Sequence, residues 1–234
     1  MDMLAAATLA LLLAAGGLRE AQIPLPPEVA RETDILELRG IGGGTRGSFT
    51  LGSSTGRFTR SADRTGLPDP LIVSHRGRST FTIASAPAAG ELAGRCAFGE
   101  TQVNIGNFAT TPRPLVYSCR FSRDGDPIAA ELILRETKES LGSLLSKRER
   151  RGSLFLESAR IEFRSLHRDR RGGLPMAVPI GYAFFAEGRQ IGAIELNGSR
   201  KRIHAPQAAR HREAVIAASV ALSLLWDPAE TAEP

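Results

Sequence analysis

Ala214-Val215-Ile216-Ala217-Ala218-Ser219-Val220-Ala221-Leu222-Ser223-Leu224-Leu225-Trp226 is a run of thirteen residues without a charge, a glycine or a proline. As a helix it reaches ~20 Å at ~1.5 Å per residue, short of the ~30 Å hydrocarbon core of a bilayer, so it reads as a core helix rather than a span. It is apolar around its whole circumference: only Ser219 and Ser223 interrupt Val215, Ile216, Val220, Leu222, Leu224, Leu225 and Trp226. A helix with no polar face must be surrounded by protein. The three runs before it are β-like: Gly181 to Ala186, Gln190 to Leu196 and Arg202 to His204, divided by the turn signals Glu187-Gly188 and Asn197-Gly198. Asn-Gly between alternating runs predicts a type I′ turn.

Working back along the chain, period-2 alternation recurs at Asp34 to Arg39, Ser48 to Leu51, Arg57 to Arg60, Arg78 to Ala84, Gly94 to Phe98, Leu115 to Phe121, Ile128 to Arg135, Leu154 to Glu157 and Arg160 to Leu166. Asp124-Gly125 supplies the positive φ of a hairpin between two of these runs. A weaker helix is predicted over Lys138 to Arg148. The expected fold is therefore mainly β: eleven or twelve short antiparallel strands forming a barrel or sandwich around a buried C-terminal hydrophobic helix. The expected organisation is a signal peptide over 1–17, an extended Pro-rich lead-in over 18–33, one β-rich domain over 34–228 and a disordered tail over 229–234. No linker or internal repeat divides the chain.

The signal-peptide reading rests on Met3 to Gly17, an apolar stretch followed by small residues, with Ala14-x-Gly16 and Ala15-x-Gly17 as cleavage patterns. Its n-region holds Asp2 and no Lys or Arg, which leaves an amphipathic terminal helix as the other reading. Cys96 and Cys119 point the same way as export. Each alternates with aromatics, Phe98 on one strand and Tyr117 and Phe121 on the other, so the two sulfurs share an apolar face if the strands are neighbours. A disulfide there would remove roughly 3.5 kcal/mol of denatured-state entropy in the chain-entropy model; two reduced, buried cysteines are the alternative. The expected location is exported, periplasmic or envelope-associated, with the cytoplasm as alternative.

The final hairpin and helix, Gly181-Tyr182-Ala183-Phe184-Phe185, Gly192-Ala193-Ile194-Glu195-Leu196 and Glu213 to Trp226 closing on Asp227-Pro228, resemble the tubby C-terminal, LURP-one and phospholipid-scramblase superfamily. That resemblance covers mainly residues 179–228 and implies a closed barrel around a central C-terminal helix. The superfamily's phosphoinositide-binding and palmitoylated-cysteine features have no matching positions here, so no residue role is carried over. The segments Ile-Glu-Leu-Asn-Gly and Leu-Leu-Trp-Asp-Pro also resemble exported bacterial proteins, a likeness that supplies no function.

Chemical motifs are few. Gly52-Ser53-Ser54-Thr55-Gly56 matches a nucleophile elbow, but the elbow needs a following helix and Arg57 to Arg60 alternates like a strand; a hairpin turn is the better reading. Gly42-Gly43-Gly44-Thr45-Arg46-Gly47 matches a dinucleotide fingerprint with Asp63 downstream, yet β-like Ser48 to Leu51 follows it, which favours a loop. His75, His167, His204 and His211 share no metal-ligand spacing, and no cofactor is expected.

The formal charge is +5, and the three lysines among 30 basic residues leave 27 arginines, a skew that a GC-rich genome also produces. The basic residues do cluster: Lys147, Arg148, Arg150 and Arg151; Arg168, Arg170 and Arg171; Arg200, Lys201 and Arg202. All fall at strand ends or loops. Gathered at one rim of a barrel, they would form an anionic-ligand surface, for which the planar guanidinium fork suits phosphate. Without interleaved aromatics as stacking platforms, single-stranded nucleic acid is disfavoured. The function expected is a non-catalytic binding or structural module at an anionic envelope surface, its partner an anionic lipid or polyanion; the alternative is a hydrolase using Ser54 or a His-acid pair assembled by folding.

Overall fold

The computed structural model describes residues 21–66, 72–84, 90–105, 108–137, 148–172, 174–198 and 200–226. Residues 1–17, the tail 229–234, Lys147 and the predicted helix over Lys138 to Arg148, apart from Arg148 in irregular backbone, lie outside the described residues.

A short helix, α1 (Pro27–Arg31), leads into twelve strands: β1 (Thr33–Arg39), β2 (Arg46–Leu51), β3 (Ser54–Gly66), β4 (Ile72–Ala84), β5 (Glu91–Ile105), β6 (Phe108–Arg123), β7 (Asp126–Glu136), β8 (Arg150–Leu156), β9 (Ala159–Leu166), β10 (Gly181–Ala186), β11 (Arg189–Glu195) and β12 (Arg200–Pro206). The long helix α2 (Ala209–Leu224) ends the fold. Each strand pairs antiparallel with its sequence neighbours, and β1 closes on β12 from Thr33↔Pro206 to Arg39↔Arg200. Closure pairs β1 with β12, the two strands that would otherwise be the edges of the sheet. Of the architectures expected, the closed barrel is the one formed.

α2 begins at the end of the barrel where β12 finishes, called here the near end, and runs back to the far end. Its contacts include β5, β8, β9, β11 and β12, from opposite walls, and the Tyr117 hydroxyl on β6 donates to Ala221 O at 2.8 Å. The helix therefore fills the lumen. Its sixteen residues rise ~24 Å. The helix presents Ala214, Ala217, Ala218 and Ala221 to a wall that supplies the bulk: Phe49, Phe81, Tyr117, Phe163, Tyr182 and Phe184 are all buried.

The wall makes room for these rings with glycine. Phe49 lies opposite Gly56, Phe58 opposite Gly47, Phe81 opposite Gly94, Phe98 opposite Gly77 and Phe163 opposite Gly152. In each pair a Cβ on the glycine would meet the ring at 3.0 Å or less. The five pairs are a cross-strand device in which a large side chain covers the bare backbone of its neighbour.

Cys96 and Cys119 are directly opposed on β5 and β6, with Cα atoms 4.0 Å apart, and form a disulfide buried beside Phe98, Tyr117 and Phe121. The Asp124-Gly125 and Glu187-Gly188 turns have both residues at positive φ, as tight hairpins of the right-handed sheet require.

Four expectations need correction. α2 starts five residues before Ala214, because its first turns carry Arg210, Arg212 and Glu213 at the near mouth, where Glu213 pairs with Arg123 and Arg212 with Asp34. Ile216, Leu225 and Trp226 are only partly buried, since they sit at the two mouths; Val215, Val220, Leu222 and Leu224 are buried. The lead-in is not wholly extended: Pro27 occupies the first turn of α1, where its missing N–H costs nothing. Asn197-Gly198 is not a type I′ turn, for of the two only Gly198 has positive φ, and β11 and β12 are four residues apart there.

Candidate functional site

In a closed meander every second connection falls at the same end. The β7–β8, β9–β10 and β11–β12 connections therefore meet at the far end, where Arg148 N donates to Ala177 O and ties two of them together. This brings the three basic clusters of the sequence to one mouth. Their side chains then take different directions.

Arg148 and Arg150 leave the surface set. Arg150, on the inward parity of β8, is 2% exposed, and its Nε lies 3.5 Å from Glu136 Oε2. Arg148 bridges Glu136, at 3.0 Å, and buried Glu100. The network continues: Arg150 N donates to Ser165 Oγ at 2.9 Å, Ser165 meets His167 Nε2 at 2.9 Å, and the other ring nitrogen of His167 meets Met176 O at 2.8 Å. His75 stands opposite Glu100 in register. Burial holds the Glu136 carboxyl above its usual range, against the pull of Arg148 and Arg150. Burial also holds the His75 imidazole below its ordinary value, opposed by Glu100. His75, Glu100, Arg150 and His167 are all buried at this end of the barrel. The network's signal in the sequence was parity, since Glu100, Glu136 and Arg150 alternate with core residues Phe98, Leu134 and Leu154.

The outward set is Arg151, Arg168, Arg170 and Arg200, exposed, with Lys201 half-buried. Arg171 and Arg202 are engaged by Asp169 at 2.6 Å and by Glu195 at 2.6 Å, and the Arg171 contact holds the Asp169 carboxyl well below the usual carboxylate range. Between Arg170 and the start of β10 the chain exposes Leu174 (79%) and Met176 (50%) on the same mouth. Ala21 is held there too, its carbonyl accepting from Asn197 Nδ2 at 3.0 Å.

The Gly-rich loop is part of this mouth. Residues 40–43 wall a cavity of about 490 Å³ over the C-terminal end of α2. Arg60 secures the loop, donating to Gly44 O at 2.9 Å and to Gly42 O, while its guanidinium stacks 4.9 Å from the Trp226 ring. A strand, β2, follows the loop, so no helix N-terminus stands behind it to receive a pyrophosphate.

Ser54 lies at the other end, in a cavity of about 340 Å³ walled by Leu36, Leu51, Ile83, Leu92 and Ile216. It opens β3 after a hairpin turn, so the helix of a nucleophile elbow is missing, and its hydroxyl has no hydrogen-bond partner among the described residues. The histidines are dispersed over β4, the β9–β10 connection, β12 and α2. Among the described residues no three His, Cys, Asp or Glu side chains are placed to hold a metal ion, and no helix is long and apolar enough to cross a membrane.

Comparison of the chain with protein-family models, with curated proteins and with solved structures finds no match in any of the three.

Proposed function

We propose that this chain is a non-catalytic, exported binding module whose far end rests on an anionic lipid surface. One observation carries the reading: the 167–180 connection projects Leu174 and Met176 into solvent beside Arg168 and Arg170, on the mouth that also carries Arg200. Exposed apolar side chains flanked by arginine suit a bilayer interface, where the cations meet phosphate and the apolar groups enter the headgroup boundary. A soluble polyanion has no use for Leu174 and Met176. Export is supported by the disulfide, which would not persist in a reducing cytosol. A closed wall around a C-terminal helix is the architecture that the resemblance to the tubby-like superfamily implies, and membership in it is part of the proposal, with no residue role attached.

Vesicle flotation tests the reading. Binding should rise with the fraction of anionic lipid, weaken as salt shortens the Debye length from ~10 Å at 0.1 M to ~3 Å at 1 M, and be lost in Arg168→Glu/Arg170→Glu/Leu174→Glu. Equal binding to neutral vesicles would remove the proposal. So would esterase or phosphatase turnover that disappears in Ser54→Ala, which would establish the hydrolase instead. Mass spectrometry of protein from its native host addresses export: an intact Met1 with both cysteines free to alkylate would exclude it.

A further inference from the structure

At the far end β3, β4, β5 and β6 outgrow the strands on either side of them. β3 runs on to Gly66, although its ladder with β2 begins only at Arg46↔Thr59, and β6 starts at Phe108, although its ladder with β7 begins at Val116↔Arg135. The extension therefore has two flanks. The β6 flank carries Pro112 and Pro114, which have no N–H to give, and its register against β5 shifts twice, between Gly99 and Thr101 and between Thr101 and Val103. Proline and bulges are devices that keep an edge strand from pairing. The β3 flank has neither. Its register with β4 is unbroken from Thr55↔Ala84 to Gly66↔Val73, and Ser61 to Thr65 are all exposed. Arg60 N donates toward the β2 side, to Thr45 O at 2.7 Å. Because the ladder has a period of two, Ala62 and Arg64 direct their N–H and C=O groups to that same side, where no strand lies alongside among the described residues.

Charge decides what can pair there. A second copy docking antiparallel about a two-fold axis would set Asp63 against Asp63 or Arg64 against Arg64, according to which residue lies on the axis, and like charges directly opposite each other destabilise a sheet. A different chain meets no such conflict. Asp63 already faces Arg76 across the β4 ladder, whereas Arg64 faces His75, so Arg64 is the charge left for a partner to answer. We propose that the free edge of β3 takes up an extended segment of another protein by strand addition, with an acidic side chain of that segment set against Arg64. Main-chain hydrogen bonds to Ala62 and Arg64 supply the affinity, and the side-chain pair supplies the selectivity.

The test is selection of random linear decapeptides, displayed on phage, against the whole purified protein, followed by binding measurements on the synthetic peptides. Enriched peptides should share an acidic residue in a proline-free stretch and bind Arg64→Glu about tenfold or more weakly, because an opposite-charge pair becomes a like-charge one. Ala62→Pro should fold as wild type does, since the N–H it removes faces out of the sheet, and should lose the peptides. If Ala62→Pro does not fold, hydrogen exchange decides: the Ala62 and Arg64 amides should exchange fast in the free protein and slowly with peptide bound. The proposal is overturned if no peptide is enriched, if folded Ala62→Pro or Arg64→Glu binds as wild type does, if a bound peptide leaves both amides unprotected, or if they are already protected without peptide. Arg168→Glu/Arg170→Glu/Leu174→Glu should keep peptide binding while losing vesicles, so failure of the lipid reading leaves the strand-addition site standing.

Discussion

Replacing Gly94 by alanine tests the ring-over-glycine packing of the wall directly. A Cβ there would lie 2.4 Å from Phe81 Cε1, where ordinary contact begins at 3.4 Å, so the ring must retreat by about 1.0 Å (3.4 − 2.4). It has nowhere to go: Phe81 is buried and meets Phe121 edge-on at 6.2 Å. Overpacking of this kind costs ~1–3 kcal/mol. Alanine recovers ~0.5–1 kcal/mol by lowering the entropy of the unfolded chain, which leaves a net loss of ~0–2.5 kcal/mol. Gly99 is the control on the same strand, since a Cβ there meets nothing within 4 Å; Gly99→Ala keeps the gain and loses nothing. Equilibrium urea unfolding with the disulfide intact reads both as midpoint shifts at constant m. Phe81→Leu combined with Gly94→Ala should be more stable than the sum of the single changes by ~0.5–3 kcal/mol, because it removes the ring that the new methyl strikes. If Gly94→Ala and Gly99→Ala shift alike, or if the double variant is additive, the rings do not require glycine opposite them.

Val220, fully buried in the lumen, should reject Val220→Asp altogether, since an unpaired buried charge costs several kcal/mol, whereas Val220→Ala should melt cooperatively at about 1–3 kcal/mol lower stability; soluble, cooperatively melting Val220→Asp would place the helix outside the wall. Ser219 Oγ is buried without a hydrogen-bond partner among the described residues, so Ser219→Ala should raise stability by about 1 kcal/mol, and a loss in urea unfolding would reveal a partner for it. Cys96→Ala/Cys119→Ala should lose ~2–4 kcal/mol under oxidising conditions and match the reduced wild type. Acid should weaken the fold through its histidines: burial lowers the folded values of His75, His204 and His211, so the unfolded chain binds more protons, and stability is lost as pH falls below about 6.5 toward those folded values. His75→Gln should flatten that slope in melts recorded between about pH 5 and 7; an unchanged slope would mean that His75 does not titrate on unfolding.

Strand alternation and the uncharged run at the end of the chain were legible residue by residue, because both are local: period 2 sorts neighbours onto two faces, and a helix without a polar side admits only burial. The disulfide needed one further premise, that β5 and β6 are neighbours, and their hairpin connection supplies it. Closure was not legible. It depends on Thr33 to Arg39 meeting Arg200 to Pro206 across most of the chain, and alternating strands fit a sandwich equally well. The charged first turns of α2 were hidden for a related reason, since only tertiary structure says where the lumen ends and solvent begins. The basic clusters show the limit most plainly. Arg150 and Arg151 are adjacent and identical in type, yet one is sealed inside against Glu136 and the other has a side chain 70% exposed. A one-residue change of strand parity separates a core ion pair from a surface cation, and the pairing of β7, β8 and β9 in the closed wall decides which is which.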